Sequence, residues 1–226
     1  MSSLLESIPA QHVTDERAVP AGAAIVDIVA ELTDDEDILK GAMLFALLEA
    51  NALPREQAEA VAGPAAARIA TELLRLGSLN IAAPTSGTPA LSGNQSEGLR
   101  KMLLAIVTDP RLVLIKLAAQ LHKLRESKDA PEVERQRLAY ETRQVYAPLA
   151  NRLGVWQIKW QLEDWSFRYL EPDNYKRVAG WLAAKRGDRE RYIEEVIAML
   201  RAELTKAQID ADIAGPPKHI YSIWGK

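Results

Sequence analysis

Three side chains near the end of the sequence carry the most chemistry for their spacing. Lys218, Ser222 and Lys226 stand four apart in the run GPPKHIYSIWGK. On a helix they share one face, while Ile220, Ile223 and Trp224 turn inward. Two ammonium groups with a hydroxyl between them suit the oxygens of a polyphosphate, because lysine brings a point charge and serine a further donor. Lysines four apart are also what an ordinary solvated helix face looks like, and the spacing alone leaves both readings open.

Metal and nucleophile chemistry has little to work with. The three histidines, His12, His122 and His219, are far apart, and none belongs to an HxxxH or HExxH pair. His122 follows the apolar Leu121 and reads as a histidine on a helix surface or at the edge of a core. Asp34, Asp35, Glu36 and Asp37 form an acidic cluster. It reads as a helix start, where negative charge opposes the dipole, because a calcium loop would alternate its ligands around a glycine that is missing here. The absence of cysteine removes disulfides, thiolate nucleophiles and cysteine-based zinc sites. Trp156, Trp160, Trp165 and Trp181 could form a base-stacking platform. Their surroundings mix charges (Lys159, Glu163, Asp164, Arg168), so packing at a helix–helix contact is the expectation.

The elements that would position these groups are almost all helical. The chain has 226 residues, 48% of them hydrophobic, and 28 Lys+Arg against 31 Asp+Glu give a net charge of −3. Such a balance supplies no global field for nucleic acid or an anionic membrane. No basic-then-apolar leader opens the sequence, and no apolar run reaches the ~18 residues of a membrane span. A cytoplasmic protein is therefore expected.

A helix is predicted from Asp37 to Asn51, a segment opening at Pro54, and a helix from Pro64 to Leu76. Asn80 to Gly98 loses all periodicity and reads as a loop. Leu103, Ile106, Val113, Leu117, Leu121 and Leu124 mark one helical stripe, broken at Asp109-Pro110. Pro131 opens the next helix, carrying Leu138, Val145, Leu149 and Leu153, with a kink at Pro148 and a stop at Gly154. Ile158, Leu162, Trp165 and Tyr169 define another helix, closed by Pro172, and one more runs from Pro172 to Lys185. Asp188 caps a helix carrying Ile193, Val196, Ile197, Leu200 and Leu204. Gln208 to Ala214 then alternates like a strand. A second domain beginning near Lys206, with the chain stopping inside it, is the simplest account.

Several stretches resemble the RelA/SpoT family, in the family's order: LRKMLLAIVTDPRLVLIKLAAQLHKLR (99–125), YAPLANRLGVWQIKWQLEDWSFRY (146–169), DRERYIEEVIAML (188–200) and PKHIYSIW (217–224). The resemblance covers about residues 41–226. It implies an all-α fold, a degenerate HD-type helical domain over 1–185. A linker helix and the first strand and helix of a truncated α/β (p)ppGpp synthetase domain would follow over 186–226.

Family members pair a manganese-dependent hydrolase, which removes pyrophosphate from the 3′ position of ppGpp, with a synthetase. The hydrolase holds its metal with two histidines and two aspartates. Its His-Asp-x-x-Glu-Asp pattern falls on Phe45, Ala46, Leu47, Leu48, Glu49 and Ala50, so only Glu49 keeps its type. The later aspartate of K-L-A-D-R-L-H-N falls on Ala119, that pattern's asparagine on Lys123, and the first histidine near Ala21. A phenyl ring and methyl groups cannot hold a hard cation. The resemblance therefore implies a pseudo-hydrolase with no manganese and no cofactor of its own.

For the full-length parent, the resemblance implies transfer of pyrophosphate from ATP to the 3′-OH of GTP or GDP with magnesium. Lys218, Ser222 and Lys226 would touch nucleotide phosphates. Pro216 and Gly225 stand where the family's synthetase opening has arginines, which puts that grip in doubt. The implied partners are the downstream synthetase domain and, through regions not in this sequence, a ribosome stalled with uncharged tRNA. Two rival readings remain: a stand-alone interaction module, and a residual hydrolase working through Glu49, Lys116 and His122.

Overall fold

The computed structural model describes residues 13–15, 17–76, 109–184, 186–213 and 219–225. In chain order the helices are α1 (Ala18–Ala30), α2 (Glu36–Glu49), α3 (Ala58–Ala62), α4 (Pro64–Leu76), α5 (Pro110–Glu126), α6 (Glu132–Glu141), α7 (Ala147–Arg152), α8 (Trp156–Leu170), α9 (Pro172–Ala184), α10 (Arg186–Lys206) and α11 (Ile220–Trp224). No strand occurs among the described residues.

Helix α2 is the spine of the N-terminal half. Asp35 caps it, accepting hydrogen bonds from the amides of Asp37 and Ile38 at 2.9 and 3.3 Å, so the acidic cluster is the helix start the sequence suggests. Glu36 pairs with Lys40 one turn on, at 2.8 Å. Beyond that turn, Ile38, Leu39 and every residue from Gly41 to Leu48 are buried. A helix buried on all sides needs neighbours on more than one face, and α1 and α4 supply them. Glycine allows the close approach to α4: a Cβ on Gly41 would stand 2.8 Å from Ile69 Cγ2. Helix α1 has no counterpart in the residue-by-residue reading of the sequence. Its Ile25, Val26, Ile28 and Val29 belong to the same core.

Helix α5 begins where Asp109-Pro110 predicts. Asp109 is extended (φ −155°, ψ 102°), as a residue before proline prefers, and its carboxylate accepts from the Arg111 amide at 3.0 Å. Along α5, Leu112, Val113, Ile115, Leu117, Leu121 and Leu124 are buried. The expected kink near Pro148 takes the form of a π-helical turn, Thr142–Tyr146, between α6 and α7. Proline at 148 has no amide to donate and crowds the carbonyl four residues back, and a widened turn relieves both. Buried Gln120 on α5 donates to Thr142 Oγ1 at 2.8 Å, and that hydroxyl donates to the Leu138 carbonyl at 2.7 Å. Gly154 ends α7 with φ 72°, the left-handed stop its type favours.

Helix α8 closes the bundle against α5, α6 and α7, with Ile158 and Leu162 in the shared core, while its buried Phe167 meets Tyr175 of α9 edge-on. Tyr169 Oη donates to the Leu124 carbonyl at 2.9 Å, and Arg143 pairs with Glu171 at 3.0 Å.

Three expectations for the C-terminal part need correction. Asp188 lies inside α10, not at its cap, because the helix already starts at Arg186. The expected strand Gln208–Ala214 does not form over its described residues. Gln208 turns left-handed (φ 56°), and 209–213 have no regular structure. An alternating pattern becomes a strand only when another backbone pairs with it, and among the described residues none does. The start of an α/β domain is therefore not present as a sheet. Finally, the packing expected of the four tryptophans holds only in part: Trp165 packs half-buried against the core and Trp160 is half-buried, whereas Trp156 and Trp181 are exposed. The loop expected at Asn80–Gly98 lies outside the described residues.

Candidate functional site

Two places bring chemistry-bearing residues together. The first is where α2 crosses α5. Phe45 and Glu49 are one turn apart on α2; Lys116, Ala119 and Lys123 follow one face of α5 over two turns. Phe45 is fully buried, and Lys116 Nζ stands 5.2 Å from its ring centroid. One turn further, Lys123 Nζ pairs with Glu49 at 3.0 Å. Ala119, 2% exposed, lies between the two lysines along α5. Ala46 is buried beside Gly22 of α1, where a Cβ on the glycine would lie 3.4 Å from the alanine methyl. Ala50 is the exposed C-cap of α2, and Ala21 is half-buried on α1. The structure thus brings Phe45, Glu49 and Ala119 together and leaves Ala50 at the rim.

The electrostatics of this junction are those of a cation held in an apolar wall. Lys116 is nine-tenths buried, and burial pulls its ammonium below the usual lysine range, with Glu49 and Glu141 opposing that pull. Burial likewise pushes the Glu141 carboxyl up, against the influence of Arg137, Lys116 and Lys123. Tyr146, also buried, is pushed up by the same cause and by Glu141 and Glu49. These groups feel one another's charge, yet among the described residues no hydrogen bond joins Lys116, Glu141 and Tyr146. Among the described residues Glu49 is the carboxylate paired here, and Lys123 holds it. Among the described residues no three His, Asp or Glu side chains converge as a metal site would require.

His122 does not join this group. Six residues from Lys116, it is turned about 120° around the helix axis. It is half-buried, and burial pulls its imidazole down.

The second place is the seat of α11 on α8 and α9. Ser222 Oγ donates to the His219 carbonyl at 2.8 Å, so the hydroxyl expected to meet phosphate tightens its own turn. Lys218, Lys226 and Pro216 lie outside the described residues. Asp164 of α8 accepts from the Tyr221 amide at 2.8 Å and the Ile220 amide at 3.4 Å, and approaches His219 Nδ1 at 3.4 Å. His219 stacks on Trp160 with centroids 4.6 Å apart. Phe167 stacks on Trp224 and meets Tyr221 edge-on, both at 5.6 Å, while the Arg177 guanidinium lies 5.4 Å over Trp224. Gln161, Asp164, Trp165, Arg168 and Tyr175 line a recess of about 210 Å³ on the same face. Of the four tryptophans noted in the sequence, Trp160 therefore serves the docking seat and Trp165 lines the recess beside it. Asp164 escaped the sequence reading because its partners are 55 to 57 residues away and no local spacing announces them.

No helix among the described residues is long and apolar enough to cross a membrane. The HD domain family matches residues 3–156. The chain is 44% identical over 205 residues to the GTP pyrophosphokinase of Escherichia coli (strain K12), covering 91% of this chain and 27% of that protein. It is 35% identical over 224 residues to the GTP pyrophosphokinase of Haemophilus influenzae, covering 99% of this chain and 30% of the relative. A guanosine-3′,5′-bis(diphosphate) 3′-pyrophosphohydrolase of Aquifex aeolicus is 36% identical over 199 residues, 88% of this chain and 27% of its own length. The chain thus spans under a third of the length of these curated relatives, whose names include both synthesis and hydrolysis. With the domain match over residues 3–156 and such relatives along most of its length, the chain belongs to the HD-domain family, among the RelA/SpoT-type proteins.

Proposed function

We propose that this chain is the N-terminal pseudo-hydrolase region of a (p)ppGpp synthetase, and that it positions and restrains the synthetase rather than cleaving ppGpp. The observation that carries this reading is the α2–α5 junction. A hydrolase of this family needs a divalent cation, and the side chains present do not fit one. Phe45, Ala46 and Ala119 offer no lone pair. Lys116 places a positive charge against the Phe45 ring instead. Glu49 would have to leave Lys123 to act on anything. A cation entering here would meet an ammonium and a ring.

In this reading residues 1–185 are the helical domain, and 186–226 lead into the synthetase. The whole protein would transfer pyrophosphate from ATP to the 3′-OH of GTP or GDP with magnesium, as the name GTP pyrophosphokinase of its relatives suggests. Lys218, Ser222 and Lys226 would contact phosphates there. The residues that complete the transfer would lie beyond the sequence, so this chain alone would make no product. Its partners would be the synthetase domain and, through further regions, the ribosome with uncharged tRNA, in the cytoplasm.

The test uses the purified chain with ppGpp and manganese. GDP and pyrophosphate should not appear above the rate without protein. Turnover that disappears on adding a chelator would overturn the reading. The seat of α11 gives the positioning role its route, since the segment leading to the synthetase is tied to α8.

A further inference from the structure

Among the described residues, Asp164 is the side chain of the helical domain that grips the backbone of the segment containing Ser222. Both of its oxygens are engaged. Oδ1 takes the Tyr221 amide at 2.8 Å; Oδ2 lies 3.4 Å from the Ile220 amide and from His219 Nδ1. Those amides open α11, a helix too short to hold itself in water. A five-residue helix has no internal partner for its first amides, so an acceptor supplied from outside decides whether the turn forms. The rings around it give affinity with less direction. His219 on Trp160 and Trp224 on Phe167 are stacked pairs that could slide. A charged acceptor receiving backbone donors fixes the register.

From this geometry we propose that Asp164 is a positioning residue. It sets the place and pitch of residues 219–225, and through them the direction in which Ser222 faces a nucleotide polyphosphate. The inference rests on the reading above that this segment opens a synthetase. It adds that the helical domain's hold on that segment passes through one carboxylate. Ser222 shows why pitch matters. Its hydroxyl donates to the His219 carbonyl, and His219 is itself held by Asp164 and Trp160. A shift of His219 therefore re-aims Ser222.

The experiment has two arms, with Asp164→Ala, Asp164→Asn and a control on the same helix, Glu163→Gln. Asp164 borders an open recess, so truncating it seals no cavity in the core. In the 226-residue chain, hydrogen exchange at the Tyr221 and Ile220 amides is measured. Asp164→Ala should speed it about tenfold or more, the size expected for losing a bond to a charged acceptor. Asp164→Asn, which keeps an acceptor but no charge, should fall between, and Glu163→Gln should match wild type.

In the full-length gene product, steady-state pyrophosphate transfer from MgATP to GDP is followed. Asp164→Ala should raise KM for the nucleotides several-fold, with Asp164→Asn intermediate and thermal midpoints unchanged. Faster exchange with an unchanged KM would overturn the inference and leave the synthetase reading intact. Exchange identical to wild type would show that the carboxylate holds nothing, and would overturn it as well. A wild-type protein that transfers no pyrophosphate would overturn the synthetase reading and the nucleotide part of this inference with it.

Discussion

Lys116 lays its ammonium 5.2 Å from the centroid of the Phe45 ring, one turn of α2 away from the pair that Lys123 makes with Glu49. The ring returns part of the cost of burying that charge, about 0.5–2 kcal/mol for such contacts. Burial still holds the amine below its ordinary value of 10.5. The unfolded chain therefore binds this proton more readily than the folded one. Between the folded value and 10.5, stability rises with pH; below that window the cost is carried in full. Lys116→Met keeps the length and removes the charge. It should be neutral or stabilising by up to about 1 kcal/mol at pH 7. That advantage should shrink as the pH approaches 10. Urea unfolding at pH 7 and pH 10 reads both. A loss at pH 7 would mean that the ammonium has a partner stronger than a ring.

Glu141 has the opposite sign of the same problem. Its folded value lies above the ordinary 4.5 because of burial. The folded state then holds a proton that the unfolded state has released, and stability falls as pH rises from 4.5 through the folded value. Glu141→Gln should therefore stabilise the protein at pH 7, by on the order of 1 kcal/mol or less. It should change nothing below pH 4. Lys116 and Lys123 both ease the charge on Glu141. The benefit of Glu141→Gln should consequently be larger in a Lys116→Met background. Unfolding across pH for the two single variants and the double variant measures that coupling.

What could be read in advance follows from how far apart the interacting residues are. Asp35 and the run to Leu48 announce a helix locally, as do Pro64–Leu76 and the proline before Arg111, and all three stand where the spacing puts them. Gly154 is a stop by its own φ. Gln208–Ile213 misled because alternation is a property of one segment, while a strand is a property of two. Phe45, Glu49 and Ala119 could be singled out from the motif they interrupt. That Lys116 rests on Phe45, and that Lys123 takes Glu49, depends on how α2 crosses α5, with 71 and 74 residues between the partners. The aromatic residues were visible as a cluster, but their use was not. Nothing near Trp160 or Phe167 in sequence says that His219 and Trp224 will return to them.

Two glycines on α1 and α2 should respond differently to alanine. A Cβ on Gly41 meets Ile69 Cγ2 at 2.8 Å and Cβ at 3.1 Å. Ile69 is fully buried and branched at Cβ, so it has no rotamer to escape into. A Cβ on Gly22 would collide with the Met43 sulfur, the far part of an unbranched side chain that can swing. Gly41→Ala should cost about 1–3 kcal/mol, as overpacking of a filled core does. Gly22→Ala should cost clearly less, because Met43 can move aside and the ~1 kcal/mol by which helix propensity favours alanine at both sites then offsets more of the smaller strain. Denaturant midpoints of the two variants rank them. The reverse order would mean that Met43 is pinned and the α2–α4 contact is the yielding one.

The metal question can be put by restoring donors. Phe45→His and Ala119→Asp at the α2–α5 junction, with Ala46→Asp on the side of α2 that meets α1, would supply one imidazole and two carboxylates, and adding Lys116→Ala would remove the ammonium that opposes a cation. Wild-type protein should show no saturable manganese uptake by calorimetry or electron paramagnetic resonance. The three-donor variant should bind weakly, and the fourth substitution should tighten binding at least several-fold. Replacing the fully buried Phe45 ring with a polar one should also cost stability, on the order of 2–4 kcal/mol, which manganese should partly return as a raised thermal midpoint. If Lys116→Ala leaves manganese affinity unchanged, the lysine is not what opposes the cation, and the missing donors alone explain the loss. Tight, stoichiometric manganese in the wild-type chain would instead place a metal site outside the α2–α5 junction and remove the basis for calling this domain a pseudo-hydrolase.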